Sequence, residues 1–285
     1  MDEGLRQMRN YQHIEVRPIA GALGAEIHGV DISRTLEDDV VAEMRQAFLD
    51  HVVIFLRGQK VTPSQQVAFA RRFGAPMEYP QLKGLAEAPL ITPVVKLEHE
   101  RNNFGGIWHS DTTYLAEPPM GSMLFALEVP PFGGDTMFAN QYLAYEALSD
   151  GLKQTLEGLM GVSSSAKAEV TKTREDQMKA AGAELKVLSA EHPIVRSHPE
   201  TGRKALYTSE AHTAHIEGWT EKESLPLLQF LWAHQVRPEF TCRFRWEVGS
   251  LAFWDNRAAM HNPINDYHGH RRVMHRVTLA GDKPR

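Results

Sequence analysis

Between Ile14 and Ile32 apolar and polar positions alternate around glycines at 21, 24 and 29. Alternation of this kind sends successive side chains to opposite faces and predicts short twisted strands joined by a turn. The period then lengthens. Val40, Val41, Met44, Ala47 and Phe48 fall on one face at helical spacing behind Thr35-Leu36-Glu37-Asp38, which resembles a capping box. The β-branched run Val52-Val53-Ile54-Phe55-Leu56, closed by Gly58, predicts a buried strand. A second helix should open at Thr62-Pro63-Ser64-Gln65, with Pro in its first turn and Gln65 completing the box, and stop at Gly74.

Beyond residue 90 the apolar runs become short and extended, as in Leu90 to Val95 and Met120 to Leu127, and strands are expected to predominate. The stretch from Ala166 to Leu185 is rich in Lys and Glu with few apolar anchors, which predicts a solvent-facing helix or mobile insertion, a lid spanning roughly 163–190. Ile194-Val195-Arg196 and Ala205-Leu206-Tyr207 flank a turn and predict a hairpin. Glu221 to Val236 has helical spacing; a cap at Thr220 would leave Pro226 kinking the helix, whereas a cap at Ser224 would put Pro226 in the first turn. Phe240 to Trp246, Leu251 to Trp254 and Val273 to Ala280 read as closing strands. The order predicts a mostly β fold with peripheral helices, a sandwich or barrel core, in one domain covering 1–285, since no repeat or linker divides it.

Composition narrows the function. With 285 residues, 42% hydrophobic and 24% charged, the chain can bury a substantial core. A formal charge of −5 leaves no electrostatic footprint for nucleic acid or an anionic membrane, so small-molecule partners are expected. No apolar run approaches the roughly 20 residues of a membrane helix, and the start lacks the order of a signal peptide, which predicts a cytoplasmic location. Cys242 is the sole cysteine, which excludes intrachain disulfides and thiolate cages and leaves nitrogen and oxygen as metal ligands.

Imidazole is abundant, at 14 residues, and His109-Ser110-Asp111 has the His-x-Asp spacing that lets two ligands leave one face of an extended segment. Four His-x-acid pairs occur where chance gives about two, so context must choose. His198-Pro199-Glu200-Thr201-Gly202 is turn text and His13 lies near the chain start, whereas His109 follows the glycine loop Gly105-Gly106-Ile107-Trp108 and leads into apparent strand text. Downstream, His261 follows Leu251 to Arg257, and Arg272 comes eleven positions later, with Arg276 on the same strand face. Such an arginine suits the far carboxylate of a chelating keto acid, which needs a bidentate cation in a dry pocket. From these residues alone, lone histidines of this kind are more often packing residues than ligands, and a solvated basic strand face stays open as the reading of the arginines.

Taken in order, Trp108-His109-Ser110-Asp111, Gly133-Gly134-Asp135-Thr136, Trp254-Asp255-Asn256-Arg257 with His261, and Arg272 with Met274-His275-Arg276 resemble the taurine dioxygenase/TfdA-like family of Fe(II)/2-oxoglutarate dioxygenases. The resemblance extends from Leu23-Gly24-Ala25 through Arg72-Phe73-Gly74 to Gly281-Asp282-Lys283-Pro284. It implies a double-stranded β-helix, or jelly roll. It also implies His109, Asp111 and His261 as iron ligands, Thr136 and Arg272 as contacts to 2-oxoglutarate, and Arg276 near the acidic group of the substrate. Fe(II), 2-oxoglutarate and O2 would be consumed or held, with succinate and CO2 released, and family precedent favours a homo-oligomer, dimer or tetramer. Taurine-selective members carry a His where this chain has Tyr79, a Tyr at Leu82, and an Asn near Gly105-Gly106-Ile107. Tyr79, Leu82 and Ile107 therefore suggest a roomier, more apolar substrate pocket for an aryloxyalkanoate, alkyl sulfate or larger sulfonate. The same cofactors also serve desaturation or cyclisation in biosynthesis. A zinc hydrolase could use the same two His and Asp, but it would have no need of Thr136 and Arg272. His212 and His215, atypical for the family, are expected at the surface or the entrance.

Overall fold

The computed structural model describes residues 9–80, 82–103, 105–167 and 186–285. Strands β1 (Glu15–Pro18) and β2 (Ala25–His28) pair antiparallel, followed by helix α1 (Asp38–His51), β3 (Val53–Leu56) and α2 (Pro63–Ala70). Then come β4 (Pro76–Met77), β5 (Ile91–Lys96), β6 (Gly121–Glu128), β7 (Thr136–Asn140), α3 (Gln141–Glu146), α4 (Asp150–Leu156) and β8 (Met160–Ser164). The chain continues with β9 (Ser189–Pro193), the hairpin β10 (Val195–Ser197) and β11 (Lys204–Leu206), β12 (Thr213–Ile216) and α5 (Glu221–Gln235). It closes on β13 (Thr241–Phe244), β14 (Leu251–Asp255), β15 (Ala259–Pro263) and β16 (Arg272–Leu279). The fold is mostly β with few helices, as the pattern predicts.

The large sheet runs β1-β2-β3-β14-β6-β16-β4, with β5 also paired to β16. Its central strands bury both faces, which is why they read as unbroken apolar runs rather than alternating ones. On β3 and β14, Ile54, Leu56, Leu251 and Phe253 face a core shared with Met44 and Phe48 of α1 and Val67 and Phe69 of α2. Val53, Phe55, Ala252 and Trp254 face the opposite way, onto Phe138 of β7 and Phe244 of β13. That second layer is the three-stranded sheet β13-β7-β15. The site described below lies between these two sheets. A third sheet, β12-β8-β9, and the β10-β11 hairpin pack with α3, α4 and α5 around Leu156, Ile194, Leu228 and Leu231.

Several expectations are corrected. α1 starts at Asp38 with Glu37 as its N-cap and no side-chain cap bond, so Thr35 is not a capping residue; Asp38 and Asp39 favour the helix start through its dipole instead. The box at Thr62 and Gln65 forms, but α2 ends at Ala70, a turn before Gly74. α5 is capped by Thr220 in a complete box with Glu223, which leaves Pro226 inside the helix. Ser224 does not cap; its hydroxyl donates to the Thr220 carbonyl and accepts from Ile216 N–H, tying α5 to β12. Most of the anticipated insertion, 168–185, lies outside the described residues.

Candidate active site

β15 carries one edge of the site. Its His261 exchanges two backbone hydrogen bonds with His109, at 2.8 and 3.1 Å, an isolated antiparallel bridge that brings the imidazoles to 4.1 Å between ring centres. The segment after His109 is not a strand, contrary to the sequence reading. It turns at once, with Thr112 at φ 44° and Leu115 N–H bonded to the Thr112 carbonyl. That turn, held where Ser110 donates to the Ala259 carbonyl and Asp111 N–H donates to the Asn256 side chain, swings the Asp111 carboxylate back under the two rings. Ligand atoms of His109, Asp111 and His261 lie within 4.8 Å of one another, and all three residues are buried.

The surroundings set protonation and tautomer. Nδ1 of His109 lies 2.7 Å from the Ile107 carbonyl and must donate there, which leaves Nε2, 3.8 Å from Asp111 Oδ1, with a free lone pair. Gly105, at φ 75°, passes so close that an added Cβ would stand 2.9 Å from His109 Cε1. Burial pushes both imidazoles below their usual pKa range, His261 farther because His109 adjoins it. For Asp111 burial opposes ionisation, but Arg276, the two rings and the Ser122 hydroxyl outweigh it and hold the carboxyl well below the usual range. Ser122 of β6 donates to Oδ2 at 2.7 Å and Arg276 Nη1 approaches Oδ1 at 3.5 Å. Trp254 Nε1 and Asn256 complete the chain of bonds behind the carboxylate, Asn256 Nδ2 reaching Ser122 Oγ at 3.3 Å. Two neutral imidazoles and one carboxylate converging in a dry site form a donor set for a divalent transition metal.

A partly open cavity, about 450 Å³ when the solvent-filled mouth is included, lies beside His109 and His261, lined by Val94, Leu124, Thr136 and Pro263 among others, with Arg272 and Arg276 in its wall. Both arginines project from one face of β16, four residues or about 13 Å of extended chain apart. Arg272 is 5% exposed, and its Nε and Nη2 have no hydrogen-bond partner, so the pocket presents an unanswered cation that a carboxylate would satisfy. Thr136 Oγ1 accepts from Trp246 Nε1 at 2.9 Å. Tyr79 is buried and its ring lies 3.8 Å from the Arg276 guanidinium carbon, so it meets the cavity through that arginine. Ile107 contributes its carbonyl to His109, and Leu82 is joined to Tyr79 through a backbone bond rather than lining the cavity wall.

Sequence reasoning missed some members. His212 is not at the surface: it is 5% exposed and stands edge-on to His109, ring centres 5.9 Å apart, and to Tyr114 at 5.3 Å. His215 is half-buried on β12. Ser122 carries no signal in its apolar strand text, whereas Asn256 stood inside a motif already singled out.

The chain matches the family described as "Taurine catabolism dioxygenase TauD, TfdA family" over residues 15–278. It belongs to the TauD/TfdA family. An alkylsulfatase of Acinetobacter baylyi is 34% identical over 278 residues, covering 95% of this chain and 86% of that protein. An alpha-ketoglutarate-dependent 2,4-dichlorophenoxyacetate dioxygenase of Cupriavidus pinatubonensis is 31% identical over 286 residues, 94% of this chain and 98% of that one. The crystal structure of a taurine dioxygenase from Burkholderia xenovorans superposes with a TM-score of 0.81 at 40% identity, covering 96% of this chain and 93% of that one. As a TauD/TfdA member the protein is an alpha-ketoglutarate-dependent dioxygenase, an oxidoreductase working with Fe(II), 2-oxoglutarate and O2. Among the described residues no helix is long and apolar enough to cross a membrane.

Proposed function

We propose that His109, Asp111 and His261 hold the ferrous ion, that Thr136 and Arg272 receive the distal carboxylate of 2-oxoglutarate, and that Arg276 takes the acidic group of a small organic anion. The observation that carries this is one cavity bordered by His109 and His261 of the triad and by two buried arginines about 13 Å apart along β16. That spacing supports two separate anion sites with the metal between them. The bound iron and keto acid supply the oxidising chemistry, with succinate and CO2 as coproducts.

The chain's own residues orient and exclude water. Val94 and Leu124 give the substrate an apolar wall, and Arg276, stacked on Tyr79, gives its anion a fixed cation. Such a pocket suits an alkyl sulfate, a sulfonate larger than taurine or an aryloxyalkanoate, the kinds of compound for which relatives are named. Hydroxylation at a carbon bearing the ester or ether oxygen would leave a product that collapses with C–O cleavage. The reading further takes 1–285 as one dioxygenase domain with a jelly-roll core made by the two facing sheets, acting on small molecules, in the cytoplasm, as a dimer or tetramer by family precedent.

The test is a panel of alkyl sulfates, sulfonates including taurine, and aryloxyalkanoates, scored by substrate-dependent succinate release with Fe(II) supplied. At least one larger anion should exceed taurine. Preference for taurine over every other compound would overturn the substrate reading, and no succinate with any anion would overturn the assignment of Arg276.

A further inference from the structure

β5 lies against β16 with Thr92 opposite Arg276, Val94 opposite Met274 and Lys96 opposite Arg272. Directly opposed residues of an antiparallel pair project from the same face of the sheet. Val94 lines the cavity, so Lys96, two residues on, is turned to the same side at the Arg272 end. Lys96 is 4% exposed, and its Nζ makes no hydrogen bond. The ammonium stands 4.1 Å from the centre of the Tyr267 ring, itself 2% exposed. Tyr267 packs on Gly134, two residues before Thr136, and its hydroxyl donates to Asn103 Oδ1 at 2.8 Å. Asn103 in turn holds the carbonyl of Pro263, a lining residue, at 3.3 Å. Lys96 thus stands beside Arg272, behind the end of the cavity that Arg272, Thr136 and Pro263 line.

The charge balance at that end is incomplete. Among the described residues neither Lys96 nor Arg272 is in an ion pair, and the acid nearest in sequence to Thr136, Asp135, is engaged by Arg243 at 2.7 Å. Lys is almost never fully buried unless it is paired. Glu100 attracts the Lys96 ammonium, and the Tyr267 phenol and Asp135 attract the Arg272 guanidinium, but none of them closes an ion pair and both cations forgo hydration, so this end of the cavity suits an anion. A single carboxylate received by Arg272 alone would leave Lys96 unanswered.

We propose that Lys96 is a second cation for the distal carboxylate of 2-oxoglutarate, acting beside Arg272 and held in place by the face of Tyr267. Arg272 offers a planar fork for two oxygens, while Lys96 adds a compact charge whose position the ring fixes. The consequence is selectivity for 2-oxo acids with a second carboxylate over those with one. The inference rests on the reading that Arg272 receives that carboxylate.

The experiment is an anaerobic titration of the Fe(II)-loaded enzyme, following the charge-transfer absorption of the bound keto acid, with 2-oxoglutarate and with pyruvate, which lacks the distal carboxylate. For Lys96→Met the 2-oxoglutarate Kd should rise about tenfold or more while the pyruvate Kd stays within about twofold, and Lys96→Arg should recover most of the loss. Thermal melting of each variant shows that it is folded. An unchanged 2-oxoglutarate Kd in Lys96→Met, an equal weakening of both acids, or no recovery in Lys96→Arg would overturn the proposal, the second of these making Lys96 a prop for Tyr267. Arg272→Ala separates the two levels: if it binds 2-oxoglutarate as the wild type does, the underlying assignment of the pocket fails, whatever Lys96 does.

Discussion

Two aspartates, Asp111 and Asp255, are both buried, both lie next to a cavity-lining residue or motif tryptophan, and both are held well below the usual carboxyl pKa range. In each case burial opposes the charge and neighbouring cationic groups and hydrogen bonds overcome it. Their bonding differs. Asp255 takes Arg257 Nε at 2.8 Å and Nη2 at 2.7 Å, Arg257 N–H at 2.9 Å and His198 Nε2 at 3.0 Å. His198 Nδ1 accepts from Glu200 and Thr201 N–H, which leaves its proton on Nε2 facing Asp255, and Arg257 reaches on to Glu200 at 2.7 Å. Every lone pair is met, and the cluster clamps β14 to the 198–201 turn. Asp111 has one strong bond, from Ser122, an arginine at 3.5 Å and an imidazole at 3.8 Å. A closed set of partners makes a structural joint; an open one, in the same burial, leaves room for an ion.

The largest effect should come from breaking the open set. Asp111→Ala is expected to lose Fe(II) binding, measured by equilibrium dialysis, and to drop substrate-linked succinate release below detection, while its melting temperature stays near that of the wild type. Retained metal binding would take Asp111 out of the triad. Asp255→Ala should do the reverse in kind, costing about 3–5 kcal/mol of stability by chemical denaturation, because Arg257 is left buried without its main partner. Its acid response follows from the sign of the shift. A carboxyl depressed in the folded state contributes fully above its unfolded pKa of about 3.9 and loses that contribution as pH falls toward the folded value. The wild type should therefore lose stability more steeply below about pH 4 than Asp255→Asn. Equal slopes would mean that Asp255 is not the group that titrates.

Much of this contrast was legible in the chain. His109 and Asp111 have a spacing that chance also produces, and it is the ordered resemblance to a known family that singles them out together with His261 and Arg272, whereas the buried strands are legible directly from β-branched runs such as Val53 to Leu56. His198 with Glu200 reads as turn text, and the turn's Pro199, Glu200 and Gly202 are exposed; His198 itself is buried, because its partner Asp255 lies 57 residues away on β14 and local pattern carries no information about that pairing. The turn at Thr112 was hidden for a related reason: Thr112-Thr113-Tyr114 has strand propensity, and a bridge to β15 together with the Asn256 bond overrides it. Thr35 failed as a cap because its offset, one turn before Asp38, satisfies the motif without placing the hydroxyl at the first free N–H groups. Lys96 and Ser122 acquire meaning only from strand register, which β16 sets for β5 and β6 together.

The same contrast extends to the arginines. Arg257 is fixed by bidentate bonds to Asp255 and needs no further support, whereas Arg276 touches Asp111 only at 3.5 Å and lies against the Tyr79 ring at 3.8 Å. If the ring orients Arg276 for the substrate anion, Tyr79→Leu should raise the substrate KM by about three- to tenfold, the worth of one partly desolvated cation–π contact, with the 2-oxoglutarate Kd unchanged. Tyr79→Phe keeps the ring face and should behave like the wild type. A KM rise of the same size in both variants would assign the effect to the hydroxyl, and no rise in either would mean that the weak Asp111 contact suffices to hold the guanidinium, making Arg276 as closed a joint as Arg257.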